Sequence, residues 1–217
     1  YLTLKLVRHA ESRSNAGVDA AWKLGDHNIA LTRRGHAQAR AAGKELGAAF
    51  IKDSLVYVSP YRRTTETLAC ILAGANLDQG ALRHPPYEDP RLREVEAGYA
   101  DNRAKKRRQG SVHGWFYYRY EQGESAADCY DRTSSFIESM WRQIERKRAR
   151  KVLIVTHGLT LRCFVMRFLH LKVADFERMA NPGNAAIVTI ARNRGSGAGP
   201  FCTDRWWAQG LAAVSPG

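Results

Sequence analysis

The chain has 217 residues, 44% of them apolar and 10% aromatic, with 34 Lys+Arg against 21 Asp+Glu for a formal net charge of +13. That size and composition suit a globular fold with a sizeable core and exclude a disordered or collagenous chain, while the longest apolar runs, such as 152–155, are too short to span a bilayer. The excess positive charge implies an anionic substrate or partner.

Residues 2–7 alternate loosely and end at Arg8-His9, which predicts a buried strand rather than a signal peptide, its carboxyl end opening into a loop with Glu11, Ser12 and Asn15. The chain starts at Tyr1 without an initiating Met, which leaves room for a removed leader. Thr32 reads as an N-cap, with Gly35, Ala39, Ala42, Leu46 and Ala49 forming a small-residue helical face to about residue 50. A short apolar run at 55–58, stopped by Ser59-Pro60, predicts a second strand followed by a helix over 62–72. Residues 83–124, rich in Pro, Gly, Tyr and Arg, lack periodicity and read as a long excursion over the sheet edge.

Apolar positions at helical spacing through 125–148 predict the longest helix, followed by a buried strand at 151–156, a helix at 159–169 and a strand at 185–190. The alternation predicts an α/β three-layer sandwich, a mostly parallel sheet with helices on both faces and active residues at the carboxyl ends of strands. It is read as one domain over 1–192 with a loop-like tail, 193–217, whose Trp206-Trp207 docks somewhere on the body. The four cysteines are scattered without a C-x-x-C, which predicts neither a zinc site nor a disulfide framework and favours a reducing, cytoplasmic setting. Two basic runs, 103–108 and 146–151, read first as solvated faces.

Three strand ends carry chemistry: Arg8-His9, Ser59-Pro-Tyr-Arg-Arg63 and His157-Gly158, with Glu94 in the excursion after the second. Two His, two Arg and a Glu converging on one sheet edge make a cationic pocket with a nucleophile and a proton source. These motifs, in this order, resemble the histidine phosphatase superfamily, also called phosphoglycerate mutase-like. Leu6-Val-Arg-His-Ala-Glu-Ser12 with Asn15 is similar to the family's R-H-G-E-S-x-x-N, with Ala10 for the usual Gly, and Leu31-Thr-Arg-Arg-Gly-His-Ala-Gln-Ala39 to its L-T-x-x-G-x-x-Q-A. Ser59 to Thr67 matches S-P-x-x-R-x-x-x-T, Leu92-Arg-Glu94 the proton-donor L-x-E, and Val155-Thr-His-Gly158 the second-histidine motif. Gly123-Glu-Ser-Ala-Ala-Asp128 looks like the family's start to the long helix.

The resemblance implies His9 as nucleophile, Arg8 and Arg63 on the phosphate, His157 as a further donor that is cationic if protonated, and Glu94 as proton donor with Glu96 the alternative. Asn15, Thr32, Gly158 and Arg62 are the expected substrate contacts, with no metal and no cofactor. A neutral imidazole is available near pH 7 as a nucleophile, and guanidinium forks suit the phosphoryl oxygens. The reaction implied is metal-independent hydrolysis of phosphate monoesters through phosphohistidine. The alternatives are mutase-type phosphoryl transfer and a non-catalytic basic adaptor for phosphorylated ligands. The expected partner is an anionic phosphorylated substrate, small molecule or phosphoprotein; nucleic acid is disfavoured, and oligomeric state is left open. The excursion, with Arg103 to Arg108 and the aromatics Trp115, Phe116 and Tyr118, reads either as a substrate-selecting lid or as a satellite core under a long loop.

Overall fold

The computed structural model describes residues 1–19, 24–98, 103–193 and 199–214, with the backbone alone for 103–107. Six strands, β1 (Thr3–Arg8), β2 (Ser54–Val58), β3 (Tyr87–Glu88), β4 (Lys151–Thr156), β5 (Ile187–Arg192) and β6 (Trp206–Gln209), form one sheet in the order β3-β2-β4-β1-β5-β6. The first four are mutually parallel; β5 runs antiparallel to β1, and β6 antiparallel to β5. Around them lie α1 (Arg33–Leu46), α2 (Ala48–Lys52), α3 (Arg62–Gly74), α4 (Arg103–His113), α5 (Ala126–Lys147), α6 (Gly158–Leu169) and α7 (Val173–Arg178).

Strand side chains alternate between two buried faces, which is why the central strands read as continuous apolar runs. Leu4, Leu6, Val152 and Ile154 pack with Phe136 and Met140 of α5 and Phe164 of α6. Val7, Val56, Leu153 and Val155 face the other way, onto Ala42 and Leu46 of α1 and Leu68 and Ile71 of α3. The small-residue face of α1 lets α3 come close: a Cβ at Gly43 would stand 2.1 Å from the Ile71 carbonyl oxygen.

The helix expected to run to residue 50 stops at Leu46, because Gly47 turns the chain at φ 77° and α2 starts afresh. Ser125 caps α5 through a capping box with Asp128. The excursion holds more regular structure than its sequence suggests, since β3, a 3-10 turn at Pro90–Leu92 and α4 all fall within it. Helix α4 carries no periodic signal, because its strongly polar sequence, RAKKRRQGSVH, lacks an apolar stripe. Phe116 and Tyr118 are buried, Phe116 lying edge-on to Phe176 at 5.3 Å, whereas Trp115 stays 47% exposed. The satellite-core reading therefore holds for Phe116 and Tyr118. The side chains of Arg103, Lys105, Lys106 and Arg107 lie outside the described residues, and Arg108 is exposed.

Strand β5 starts two residues later than expected, since Ala185 sits at φ 58° with its N–H on the Arg8 carbonyl. In the segment expected as a tail, β6 pairs with β5, and Trp206 lies 5.2 Å edge-on to Phe168 of α6. Among the described residues no helix is long and apolar enough to cross a membrane.

Candidate active site

Strands β2, β4 and β1 are adjacent and parallel, with Val58 opposite Val155 and Arg8 opposite Thr156. Their carboxyl ends therefore fall side by side, and the ladder continues one step further: the His9 N–H donates to the Thr156 carbonyl at 2.8 Å and the Ser59 N–H to Val155 at 3.0 Å. The residues that follow open onto a cavity of about 450 Å³ lined by Arg8, His9, Asn15, Arg63, Glu94 and Glu96, together with Asp26, Tyr61 and others.

His9 is 4% exposed, and its Nδ1–H donates to the Ala10 carbonyl at 2.8 Å, a tautomer assigned from that bond, so the lone pair is on Nε2. Burial and the Arg63 and Arg8 charges push its pKa down to about 3, against the opposing pull of the Ala10 bond. The ring is neutral at any ordinary pH. His157 is fully buried, 5.2 Å from His9 between ring centroids. Ser59 Oγ accepts the Tyr61 N–H at 3.4 Å and lies 2.8 Å from His157 Nε2; with the hydroxyl assigned as donor in that contact, Nδ1–H is a buried donor with no partner among the described residues. Burial, with Arg63 and His9 beside it, pushes this pKa well below that of an ordinary histidine. These surroundings favour the neutral form of His157 over the cationic one.

Arg8 donates through Nη1 to the Pro182 carbonyl at 2.6 Å, and its buried Nε has no partner among the described residues. Burial lowers its pKa, with Glu94 opposing and Arg63 adding to the fall. Arg63, on the first turn of α3, is 4% exposed and forms a bidentate pair with the Asp26 carboxylate, both contacts 2.9 Å. Asp26 sits on a 3-10 turn, Asp26–Asn28, that no sequence motif flagged. Arg8 and Arg63 beside the neutral imidazole of His9 give the cavity donors suited to an oxyanion, whereas His157, fully buried behind His9, does not itself line it.

Glu94 arrives from the excursion. The Thr156 hydroxyl donates to the Leu92 carbonyl at 2.8 Å and Thr160 to Arg93 at 2.7 Å, fastening the segment to β4 and α6. Glu94 Oε1 accepts the Val95 N–H at 2.9 Å and lies 3.3 Å from Thr160 Oγ1. Behind it, Glu124 pairs with Arg93 and bidentately with Arg132, both contacts 3.1 Å, while Arg132 reaches the Arg91 carbonyl at 2.6 Å. Gly123 lets the strands of this clamp meet, since a Cβ there would stand 2.2 Å from the Glu96 carbonyl oxygen. The G-E-S start of α5 is thus the support of the Glu94 segment.

Asn15 lines the cavity, its Oδ1 accepting from Ser12 N, Ser12 Oγ and Asn184 Nδ2 at 3.0–3.1 Å, which turns its amide NH₂ away from them. Three expected substrate contacts do not line it. Thr32 Oγ1 caps α1 by accepting the Gly35 N–H and donates to Glu11 at 2.7 Å, so its hydroxyl is committed to the fold. Arg62 points to solvent and pairs with Glu66 one turn on, at 2.7 Å. Gly158 opens α6 behind His157, where its missing Cβ makes room for Asn181. Sequence reasoning missed Asp26, Ser59 as the partner of His157, and Asn184; only the S-P turn carried a signal, for Ser59.

Comparison with known proteins agrees with this geometry. The family model described as "Histidine phosphatase superfamily (branch 1)" matches residues 4–199. A phosphoglycerate mutase-like protein of Arabidopsis thaliana is 38% identical over 200 residues, covering 82% of this chain and 70% of the plant protein; of a second such plant protein the chain spans 65%. An acid phosphatase of Mycobacterium tuberculosis is 30% identical over 194 residues, covering 82% of this chain and 81% of its own. A solved mycobacterial glucosyl-3-phosphoglycerate phosphatase shares the fold, with a TM-score of 0.73 at 23% identity over 98% of this chain and 99% of that one.

Proposed function

Because the chain belongs to the histidine phosphatase superfamily, we propose that it is a metal-independent phosphatase that hydrolyses phosphate monoesters through a phosphohistidine at His9. The observation that carries this reading is the imidazole of His9, neutral, with its free Nε2 in a cavity that also holds Arg8, Arg63 and Glu94. Nε2 attacks phosphorus as the ester P–O bond breaks, and protonated Glu94 gives its proton to the departing alkoxide. The guanidiniums hold the non-bridging oxygens while charge shifts among them. Water then attacks the phosphorus, passes a proton to the Glu94 carboxylate, and the P–N bond breaks to release inorganic phosphate and restore neutral His9. Two arginines supply the charge neutralisation that magnesium supplies in kinases.

The relatives' names divide between mutase-like protein and acid phosphatase, so the test must separate hydrolysis from transfer. An aryl phosphate labelled on phosphorus is incubated with the protein in EDTA, with and without an added alcohol acceptor. Release of inorganic phosphate and an acid-labile, alkali-stable label on the protein are expected, both lost in His9→Ala by on the order of 10³-fold or more. Unchanged turnover in His9→Ala, loss in EDTA that divalent metal restores, or label ending mainly on the alcohol would each overturn the proposal.

A further inference from the structure

Asp26 belongs to none of the motifs in the sequence, yet three N–H bonds of Arg63 end on it. Nη1 donates to Asp26 Oδ1 at 2.9 Å and to the Asp26 main-chain carbonyl at 2.6 Å, and Nη2 donates to Oδ2 at 2.9 Å. A guanidinium carries five N–H donors in one plane. The two left over, Nε–H and the second Nη2–H, lie together on one edge, and neither has a partner among the described residues. Tyr61 covers one face of the group, its ring centroid 5.0 Å from the guanidinium carbon. Arg63 is almost wholly buried, whereas the Asp26 side chain is 37% exposed and lines the cavity.

We propose that Asp26 is the positioning residue of Arg63: by taking the terminal edge and the outer Nη1–H of the guanidinium, it presents the Nε/Nη2 edge to the phosphoryl group. The substrate phosphate is then gripped side-on by two donors fixed before it arrives. This rests on the phosphatase reading above. Donors already in place need no reorganisation as charge moves in the transition state, and the fork geometry of arginine matches two oxygens of a phosphate.

The competing idea is that Asp26 only fills the fork until phosphate displaces it. The main-chain carbonyl argues against that. A carboxylate alone swings aside by side-chain rotation, but the carbonyl and Arg63 part only if the 3-10 turn, Asp26–Asn28, or the buried arginine itself moves. The two ideas also differ in sign. A support, once removed, weakens phosphate binding and catalysis; a competitor, once removed, strengthens both.

The experiment is a double-mutant cycle over Asp26→Ala, Arg63→Ala and the pair, read as kcat/KM on an aryl phosphate and as binding of inorganic phosphate. Asp26→Ala should lower kcat/KM about tenfold or more in the native background and less than twofold when Arg63 is already Ala. In Asp26→Asn, which keeps the shape but not the charge or the second carboxylate acceptor, the same non-additivity should appear in milder form. The Nε–H resonance of Arg63 should shift on phosphate addition to the native protein, and broaden in Asp26→Ala with weaker phosphate binding. Equal losses in both backgrounds would mean that Asp26 supports the loop rather than the arginine. Faster turnover or tighter phosphate in Asp26→Ala would make it a competitor, and either result overturns the proposal. If the native protein binds phosphate but hydrolyses no ester, the phosphatase reading falls while the binding and resonance arms still decide the role of Asp26; a native protein in which phosphate leaves the Arg63 resonance unmoved overturns it.

Discussion

His9, Ser59 and His157 stand at the ends of three adjacent parallel strands, whereas Glu94 comes in on a segment whose only regular structure nearby is a two-residue strand and a 3-10 turn. The floor of the cavity inherits its geometry from main-chain register: Arg8 opposite Thr156 and Val58 opposite Val155 leave the next residues no choice of neighbour. The wall has no ladder to inherit from. It is held by side chains, with Thr156 and Thr160 on the Leu92 and Arg93 carbonyls and Glu124 clamped to Arg93 and Arg132. The difference implies that the main-chain positions of His9, Ser59 and His157 are set by the sheet alone, and that Glu94, the proposed proton donor, is the part most easily displaced.

If wall and floor differ in this way, a change in the wall should cause damage that depends on the leaving group. Glu94→Gln should slow hydrolysis of alkyl phosphates by about 10² to 10⁴-fold, the usual worth of general acid assistance, and slow an aryl phosphate with a low-pKa phenol far less. Equal losses on both substrates would move the acid role to Glu96 or remove it from the excursion.

A smaller effect is expected one layer back. Glu124→Ala leaves Arg132, whose side chain is 10% exposed, without its carboxylate. Breaking a buried pair in this way costs on the order of 3 kcal/mol, to be read from the denaturant midpoint. The ratio of alkyl to aryl activity should fall with it, because the Glu94 segment loses its anchor. A stable variant with an unchanged ratio would show that the two threonine bonds hold the wall without the clamp.

The smallest expected effect is a null on the floor. With the folded-state pKa of His9 near 3 and an ordinary value of about 6.5, the ring should show no titration by NMR between pH 8 and 4.5. Between those two values the unfolded chain takes up the proton first. The corresponding stability is complete above about pH 6.5 and is lost as pH falls toward 3. A midpoint near 6.5 for His9 would mean that the floor is more open to water than its burial indicates.

Much of the fold could be read from local pattern. The continuous apolar runs of β2 and β4, the Thr32 cap and the helical spacing of α5 are short-range signals, and each element lies within a few residues of its expected place. Helix α4 could not be read so, because its side chains offer no apolar stripe. Strand β6 exists only because β5 is there to pair with it, and a short W-W-A-Q segment has no period of its own. Thr32 and Arg62 show the converse error: both stand within the motifs that carry the site, yet neither lines the cavity, since the Thr32 hydroxyl serves its helix cap and Arg62 turns toward Glu66.

Residue types and their order along the chain establish which chemistry the protein can attempt: a histidine, two arginines and a glutamate at the ends and edges of recognisable elements, in one family's order. The state in which those groups are held arises only in the folded arrangement. The neutrality of His9 and His157 comes from burial among guanidiniums contributed by different elements. The orientation of Arg63 comes from a carboxylate 37 residues away in the chain, and that of Glu94 from Glu124, Thr156 and Thr160. Residue types and local spacing are written along the chain, but protonation and side-chain direction depend on dielectric and on partners brought together from distant segments, and those exist only once the sheet has closed over its two cores.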